Sequence, residues 1–312
     1  ESAASLDNAS DTALYTEQDT NESATFRNVA ARLRSTGQWS PLGPPTAVGG
    51  SALIFTMAED DTYLYIGGNF TNFDGIAAAD RIVRYNKQTG IYSAMGTGTP
   101  AGEVVNAIVV MPNGDVIAGG DFASMSGVAN TNGIAAWNGT SWRSIGGGGI
   151  VYGLVVGLDG RLYATGAFTV LGGVTVTRVA NWNGSIWTAM GSGLDQTGFS
   201  ITVSPIDGTI YVGGVFSLSG GVANTAGIAA WNGSVWSHLS TGITGSVSFT
   251  YGAVYALAVN PTTGVLVAGG EFTTAGGSSI DSLAAWNGVY WVGLGSGVSA
   301  PAVDEILINE LA

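Results

Sequence analysis

Residues Val116–Trp142 read VIAGGDFASMSGVANTNGIAAWNGTSW. A short apolar run enters a glycine pair and a phenylalanine. A loop of small residues follows, and Ile134–Trp137 then leads through Asn-Gly to a second tryptophan. The same pattern recurs four more times. Gly-Gly-x-Phe ends at Phe70, Phe122, Phe216 and Phe272, with a degenerate copy ending at Phe168, so the phenylalanines lie 52, 46, 48 and 56 residues apart. Fourteen or fifteen residues after each comes an aromatic followed by Asn, at Tyr85, Trp137, Trp182, Trp231 and Trp286. A second aromatic closes each unit, at Tyr92, Trp142, Trp187, Trp236 and Trp291. Self-similarity at a period near 50 residues is the mark of a repeat architecture.

Each unit reads as four short strands. Apolar runs such as Val104–Met111 and Val254–Val259 supply the first, and a Gly-containing turn such as Asn113-Gly114 or Asp207-Gly208 leads to the second, Val116–Ala118 or Ile210–Val212. The third is Ile134–Trp137 or Ile228–Trp231. Asn-Gly then predicts a type I′ turn into the fourth strand, because both central residues of that turn need positive φ. Helical periodicity is absent from the repeats, so the fold class is all-β. Four-stranded antiparallel units in tandem predict a β-propeller, whereas a two-sheet sandwich predicts no fixed repeat length. The glycine pair, the third-strand aromatic and the fourth-strand Trp resemble the kelch repeat and the galactose-oxidase-like propellers, over about residues 53–296. In the four Trp units the paired aromatics are five residues apart, closer than in the usual kelch spacing. In this reading the repeat Phe and Trp residues are structural, filling the wedges between sheets and burying about 150–250 Å² each.

The repeats fall at 53–96, 104–146, 150–191, 199–240 and 254–295 of a propeller domain covering 26–312. Residues 29–43 resemble the third and fourth strands of a unit, with Trp39-Ser40-Pro41-Leu42-Gly43 matching Trp291-Val292-Gly293-Leu294-Gly295, and 303–311 resembles a first strand. Six blades are therefore expected, five complete and one split between the termini, with five as the alternative. The second strand of the split blade has no Gly-Gly-x-Phe candidate. Either residues 12–27 or a neighbouring chain supplies it. Residues 1–25 form a polar extension with six acids and no base, expected to dock on its own propeller or on another subunit. A start at Glu1 reads as a processed or fragmentary chain.

Composition narrows function. The chain has 312 residues, 22 acids, nine bases and a net charge of −13, which leaves too few cations to neutralise a run of phosphates or to hold an anionic membrane surface. No apolar run is long enough to span a bilayer. With no Cys and a single His, His238, neither thiol chemistry nor the copper site of galactose oxidase can be carried over. His238 sits at a variable fourth-strand position and reads as a surface residue. Asp121 and Glu271, at the x of Gly-Gly-x-Phe, are the carboxylates a glycosidase would need, but they belong to non-adjacent repeats and read as solvated loop-mouth residues. Turns at Asp60-Asp61, Asp115, Asp159 and Asp207 offer too few oxygens each for calcium. Asn-Gly-Ser/Thr at Asn138, Asn183 and Asn232 is explained by turn chemistry. No catalytic residue, cofactor or metal is expected.

What remains is binding and assembly. The long neutral loops, the polar tail and the incomplete terminal blade predict a non-enzymatic, exported structural subunit of a filament, surface layer or virion, with itself as partner. The alternative is a lectin-like propeller for adhesion or host recognition, with Phe73 as the loop aromatic for sugar stacking. A carbohydrate-active enzyme ranks third. The expected location is extracellular, on a cell surface or in a virion.

Overall fold

The computed structural model describes residues 53–246, 248–249 and 251–294, together with the strand backbone at 15–16, 29–32 and 39–41. Five four-stranded antiparallel sheets follow one another along the chain. Sheet I comprises Ile54–Glu59, Tyr63–Gly68, Ile82–Asn86 and Ile91–Ala94. Sheet II comprises Val104–Val110, Val116–Asp121, Ile134–Trp137 and Trp142–Arg143, and sheet III Gly149–Val156, Leu162–Phe168, Val179–Trp182 and Trp187–Ala189. Sheet IV runs through Gly198–Val203, Ile210–Gly214, Ile228–Trp231 and Trp236–Ser237, and sheet V through Ala253–Val259, Leu266–Glu271, Leu283–Trp286 and Trp291–Gly293. Second strands extend through the glycine pair, further than the apolar pattern suggested.

First strands of successive sheets pack on one another, from Ile54–Glu59 through Val104–Val110, Gly149–Val156 and Gly198–Val203 to Ala253–Val259. They are the innermost strands, and the sheets radiate from them as propeller blades. Among the described residues, no comparable packing joins the first strand of sheet V to that of sheet I.

The core lies between blades. One cluster joins Tyr65, Ile82 and Met95 of blade I to Val105, Phe122 and Trp142 of blade II, and equivalent clusters link II to III, III to IV and IV to V. The repeat phenylalanines Phe70, Phe122, Phe168, Phe216 and Phe272 are buried, as are Trp137, Trp142, Trp182, Trp187, Trp231, Trp236 and Trp291, while Trp286 is half-buried. Each fourth-strand Trp also ties its blade to the one before. Trp142, Trp187, Trp236 and Trp291 donate their indole N–H to the backbone oxygens of Met95 (2.5 Å), Ile145 (2.7 Å), Met190 (2.8 Å) and Leu239 (3.1 Å). Such a bond satisfies a buried donor and a buried carbonyl together.

The two glycines of the pair have separate causes. A Cβ on the first would strike the next blade's inner strand: from Gly67 it would lie 2.7 Å from a Val105 methyl, from Gly119 2.6 Å from Val151, and from Gly213 2.5 Å from Val254. A Cβ on the second would lie 2.0–2.3 Å from a backbone oxygen of its own first strand or the residue before it, as at Gly68, Gly120, Gly166, Gly214 and Gly270. At that level every first strand carries a β-bulge.

The turns after the third strands differ from the expected type I′. In blade II, Asn138 N–H donates to Ser141 O, so Gly139 and Thr140 are central, and only Gly139 has positive φ (96°). That is the type II′ pattern. Asn138 Oδ1 accepts from the N–H groups of both Thr140 and Ser141, which holds the Asn side chain one place before the turn centre. Blades III to V repeat it with Asn183, Asn232 and Asn287.

A further three-stranded sheet is formed by Tyr15–Thr16, Val29–Arg32 and Trp39–Pro41. Its register is that of strands two to four of a blade. Ala30, Ala31 and Arg32 face Pro41, Ser40 and Trp39, as Ala284, Ala285 and Trp286 face Gly293, Val292 and Trp291. Tyr15 and Thr16 face Ala30 and Val29, as Ala268 and Gly269 face Ala284 and Leu283. The strand expected from residues 12–27 is thus present within the chain. The expected first strand, 303–311, lies outside the described residues.

Candidate functional site

The bulge in each inner strand falls at one residue: Phe55, Asn106, Tyr152, Phe199 or Tyr255. A bulge frees its residue from the ladder and re-aims the side chain. Here the freed side chains of three adjoining innermost strands meet. The rings of Tyr152 and Phe199 stand 5.5 Å apart in a T-shaped arrangement, and those of Phe199 and Tyr255 are also 5.5 Å apart. Three successive blades thus present a continuous aromatic run. Phe55 is 43% exposed, and Asn106 donates through Nδ2 to Val151 O (3.1 Å) in the next blade. Asp121, opposite Val104 in the blade II ladder, lies near the loop end of this girdle and is exposed. Burial and the nearby Asp121 charge together raise the pKa of the Tyr152 hydroxyl.

The girdle was not among the sequence candidates. Its residues lie inside apolar strand runs, where alternation gives no sign of a bulge. The signal was the second Gly of each pair, whose missing Cβ accommodates the bulged strand.

Phe73 does not stand ready for a sugar. It is 5% exposed and stacks between Phe70 (4.8 Å) and Tyr92 (5.1 Å). Three residues after each repeat Phe the loop folds back on a buried anchor: Phe73, Met125, Leu171, Ser219 or Ala275. Each anchor belongs to a tight reversal, such as the Met125–Val128 and Ser219–Val222 bridges or the Val170–Leu171/Val174–Thr175 hairpin. Phe73 is the first-blade member of that series. These loops are packed caps.

The remaining candidates separate in space. His238 is exposed. Asp121 and Glu271 belong to blades II and V, and Glu271 accepts hydrogen bonds from Ser246 Oγ (2.6 Å) and the Ser248 N–H (2.8 Å). Asp195 similarly accepts from the N–H groups of Ser217 and Leu218. Burial works against its charge, but a hydrogen bond from the Ser217 hydroxyl together with these backbone bonds prevails and holds its pKa below the ordinary carboxylate value. The turn carboxylates are committed to their own hairpins. Asp60 accepts from the N–H groups of Thr62 and Tyr63 and from Tyr65 Oη (2.7 Å), and Asp159 from the Arg161 N–H and from Tyr163 Oη (2.9 Å). Among the described residues no three metal-ligating side chains cluster. No described helix is long and apolar enough to cross a membrane.

A second concavity, about 330 Å³, opens at the outer junction of blades II and III against Arg143, Gly172, Trp182 and Trp187. Arg143 there ion-pairs with Asp115 (2.5 Å) and lies 5.9 Å from the Trp182 ring centroid. Both indoles are already buried. The groove therefore offers no free stacking face.

No protein-family model matches the chain, and no curated protein matches its sequence. Similarity to solved structures is a similarity of shape. The extracellular domain of the one-component system BT4673 from B. thetaiotaomicron superposes with a TM-score of 0.56 at 11% identity, covering 91% of this chain and 33% of that one. A chain of the mitotic checkpoint complex gives 0.55 at 15% identity, covering 89% and 74%. The GH74 enzyme of Niastella koreensis gives 0.53 at 14%, covering 85% and 42%. This chain spans about a third of the length of the first and less than half of the last. At such identities the likeness shows fold alone, and that fold is the β-propeller already read from the radiating sheets.

Proposed function

We propose that this chain is a non-enzymatic β-propeller of kelch-like repeats acting as a subunit of an extracellular assembly. The observation that carries the reading is the N-terminal sheet, whose register is that of strands two to four of a blade. Its inner edge, at Tyr15–Thr16, has no further strand among the described residues. An unpaired strand edge is a template for another segment. Residues 303–311 have the apolar pattern of a first strand. Supplied by the same chain, they close a six-bladed ring; supplied by a neighbour, they link rings into a polymer.

The surface supports an interaction role. Both hairpin turns of every blade lie at one end of the propeller, and they expose apolar side chains: Leu158 and Ile206 at first turns, Ile91, Ile186, Val235 and Tyr290 at second turns. Contiguous exposed apolar surface marks an interface. The extracellular placement is part of this proposal and rests on the low charge of the chain.

The test is the mass of the native particle by light scattering, for the intact chain and for one ending at residue 300. Multimers or filaments from the intact chain, and monomers from the shortened one, are expected. A monomer of 31.5 kDa from the intact chain overturns the assembly reading.

A further inference from the structure

Four of the five bulged inner-strand residues are aromatic, namely Phe55, Tyr152, Phe199 and Tyr255, and the fifth is Asn106. Rings needed only for packing would be expected in the wedges between blades, where the repeat Phe and Trp residues are almost wholly buried. These rings are instead partly exposed, and three of them meet across adjoining inner strands, Tyr152 and Phe199 in a T-shaped contact and Phe199 and Tyr255 tilted by 38°.

We propose that this girdle is a binding site for a neutral oligosaccharide. A pyranose has an apolar C–H face and a rim of hydroxyls, so its receptor needs flat aromatic surface with hydrogen-bonding groups beside it. The girdle has both. Tyr152, Phe199 and Tyr255 form the aromatic wall, while the Tyr152 hydroxyl and the exposed Asp121 carboxylate provide polar partners. Charge at the loop end excludes an anionic ligand. The two basic residues described there, Arg81 and Arg178, are committed to the backbone oxygens of Thr99 (3.3 Å) and Leu194 (3.1 Å), and Arg81 also pairs with Asp80 (3.3 Å). The inference is independent of the assembly reading, because Tyr152, Phe199 and Tyr255 belong to three adjoining blades of one chain.

The experiment is calorimetric and saturation-transfer NMR titration with three probes: the β-1,4 tetramers of glucose and of N-acetylglucosamine, and the α-1,4 tetramer of glucose. At least one is expected to bind, and Phe199→Ala is expected to weaken it about tenfold or more. His238→Ala, an exposed side chain beside the fourth strand of blade IV and outside the girdle, is expected to keep affinity within about threefold of the original, which separates loss of the girdle from a general effect of substitution. Circular dichroism melts of both variants verify the folded ring. Absence of binding by all three tetramers at about 10 mM, far weaker than useful recognition, overturns the proposal. So does undiminished affinity in a folded Phe199→Ala variant.

Discussion

Thr165 occupies the space that Gly198 leaves open. A Cβ built on Gly198 would lie 2.1 Å from Thr165 Oγ1. Elsewhere the order is reversed: the second strand carries the glycine and the next blade's inner strand the valine, as in Gly67–Val105, Gly119–Val151 and Gly213–Val254. The degenerate third repeat is therefore a compensated exchange of small for large across one blade junction.

That exchange can be undone. Gly198→Val alone overpacks the junction and is expected to cost about 1–3 kcal/mol. Thr165→Gly alone opens a gap and removes the hydroxyl donor to Arg178 O (3.0 Å). Combined, the two restore the arrangement of the other junctions. Denaturant unfolding of the four proteins is expected to give a favourable coupling of about 1 kcal/mol or more. Additive losses would show that Thr165 and Gly198 do not share one space.

The two tryptophans of blade II are expected to respond differently to the same substitution. Trp142 donates to Met95 O at 2.5 Å, whereas Trp137 Nε1 is buried without a hydrogen-bond partner. Trp142→Phe strands a buried carbonyl and is expected to cost about 1–3 kcal/mol. Trp137→Phe removes a donor that had no acceptor, and the smaller ring should cost less than about 1.5 kcal/mol. Equal midpoint shifts in urea would mean that the indole bond contributes nothing across the junction.

Stability should fall in alkali over a defined window. Burial raises the pKa of Tyr65 and Tyr163, and each donates its hydroxyl to a turn carboxylate, Asp60 or Asp159, whose charge adds to the effect; Tyr163 is pushed up to about 12. Below the ordinary tyrosine pKa near 10 both folded and unfolded chains keep these protons. Above it the unfolded chain loses them first, so stability is fully present up to about pH 10 and declines as pH rises toward 12. Thermal melts from pH 8 to 12 with absorbance titration at about 295 nm check this, tyrosines being half-ionised near 10 only when free. Tyr163→Phe should flatten the decline.

Much of this fold is legible because the repeat writes each requirement five times. The spacing of Phe122, Trp137 and Trp142 places three strands, and the copies exclude coincidence. The bulge was hidden. It arises where Phe199 and its equivalents stand in runs too apolar to show alternation, and the second glycine that accompanies it has several possible causes in sequence. Phe73 was misread for a related reason: composition marks its loop as polar and small, but the buried position three residues after each Phe is filled by Met, Leu, Ser and Ala elsewhere, a set with no common chemistry. Asn138 shows the same limit at shorter range, since Asn-Gly specifies a turn without specifying which residue sits at its centre.

The indole bonds run in series, each fourth-strand Trp to the end of the preceding blade: Trp142 to Met95, Trp187 to Ile145, Trp236 to Met190, Trp291 to Leu239. Leu294 is the next acceptor position, and Trp39, opposite Arg32 as Trp291 is opposite Trp286, is the next donor position by register. If the N-terminal sheet is the sixth blade, Trp39→Phe should destabilise as Trp187→Phe does, by about 1–3 kcal/mol. Trp39→Ala should cost about 3–5 kcal/mol through the added cavity. Denaturation midpoints unmoved by both substitutions would place Trp39 outside the ring, and the six-bladed reading would give way to five.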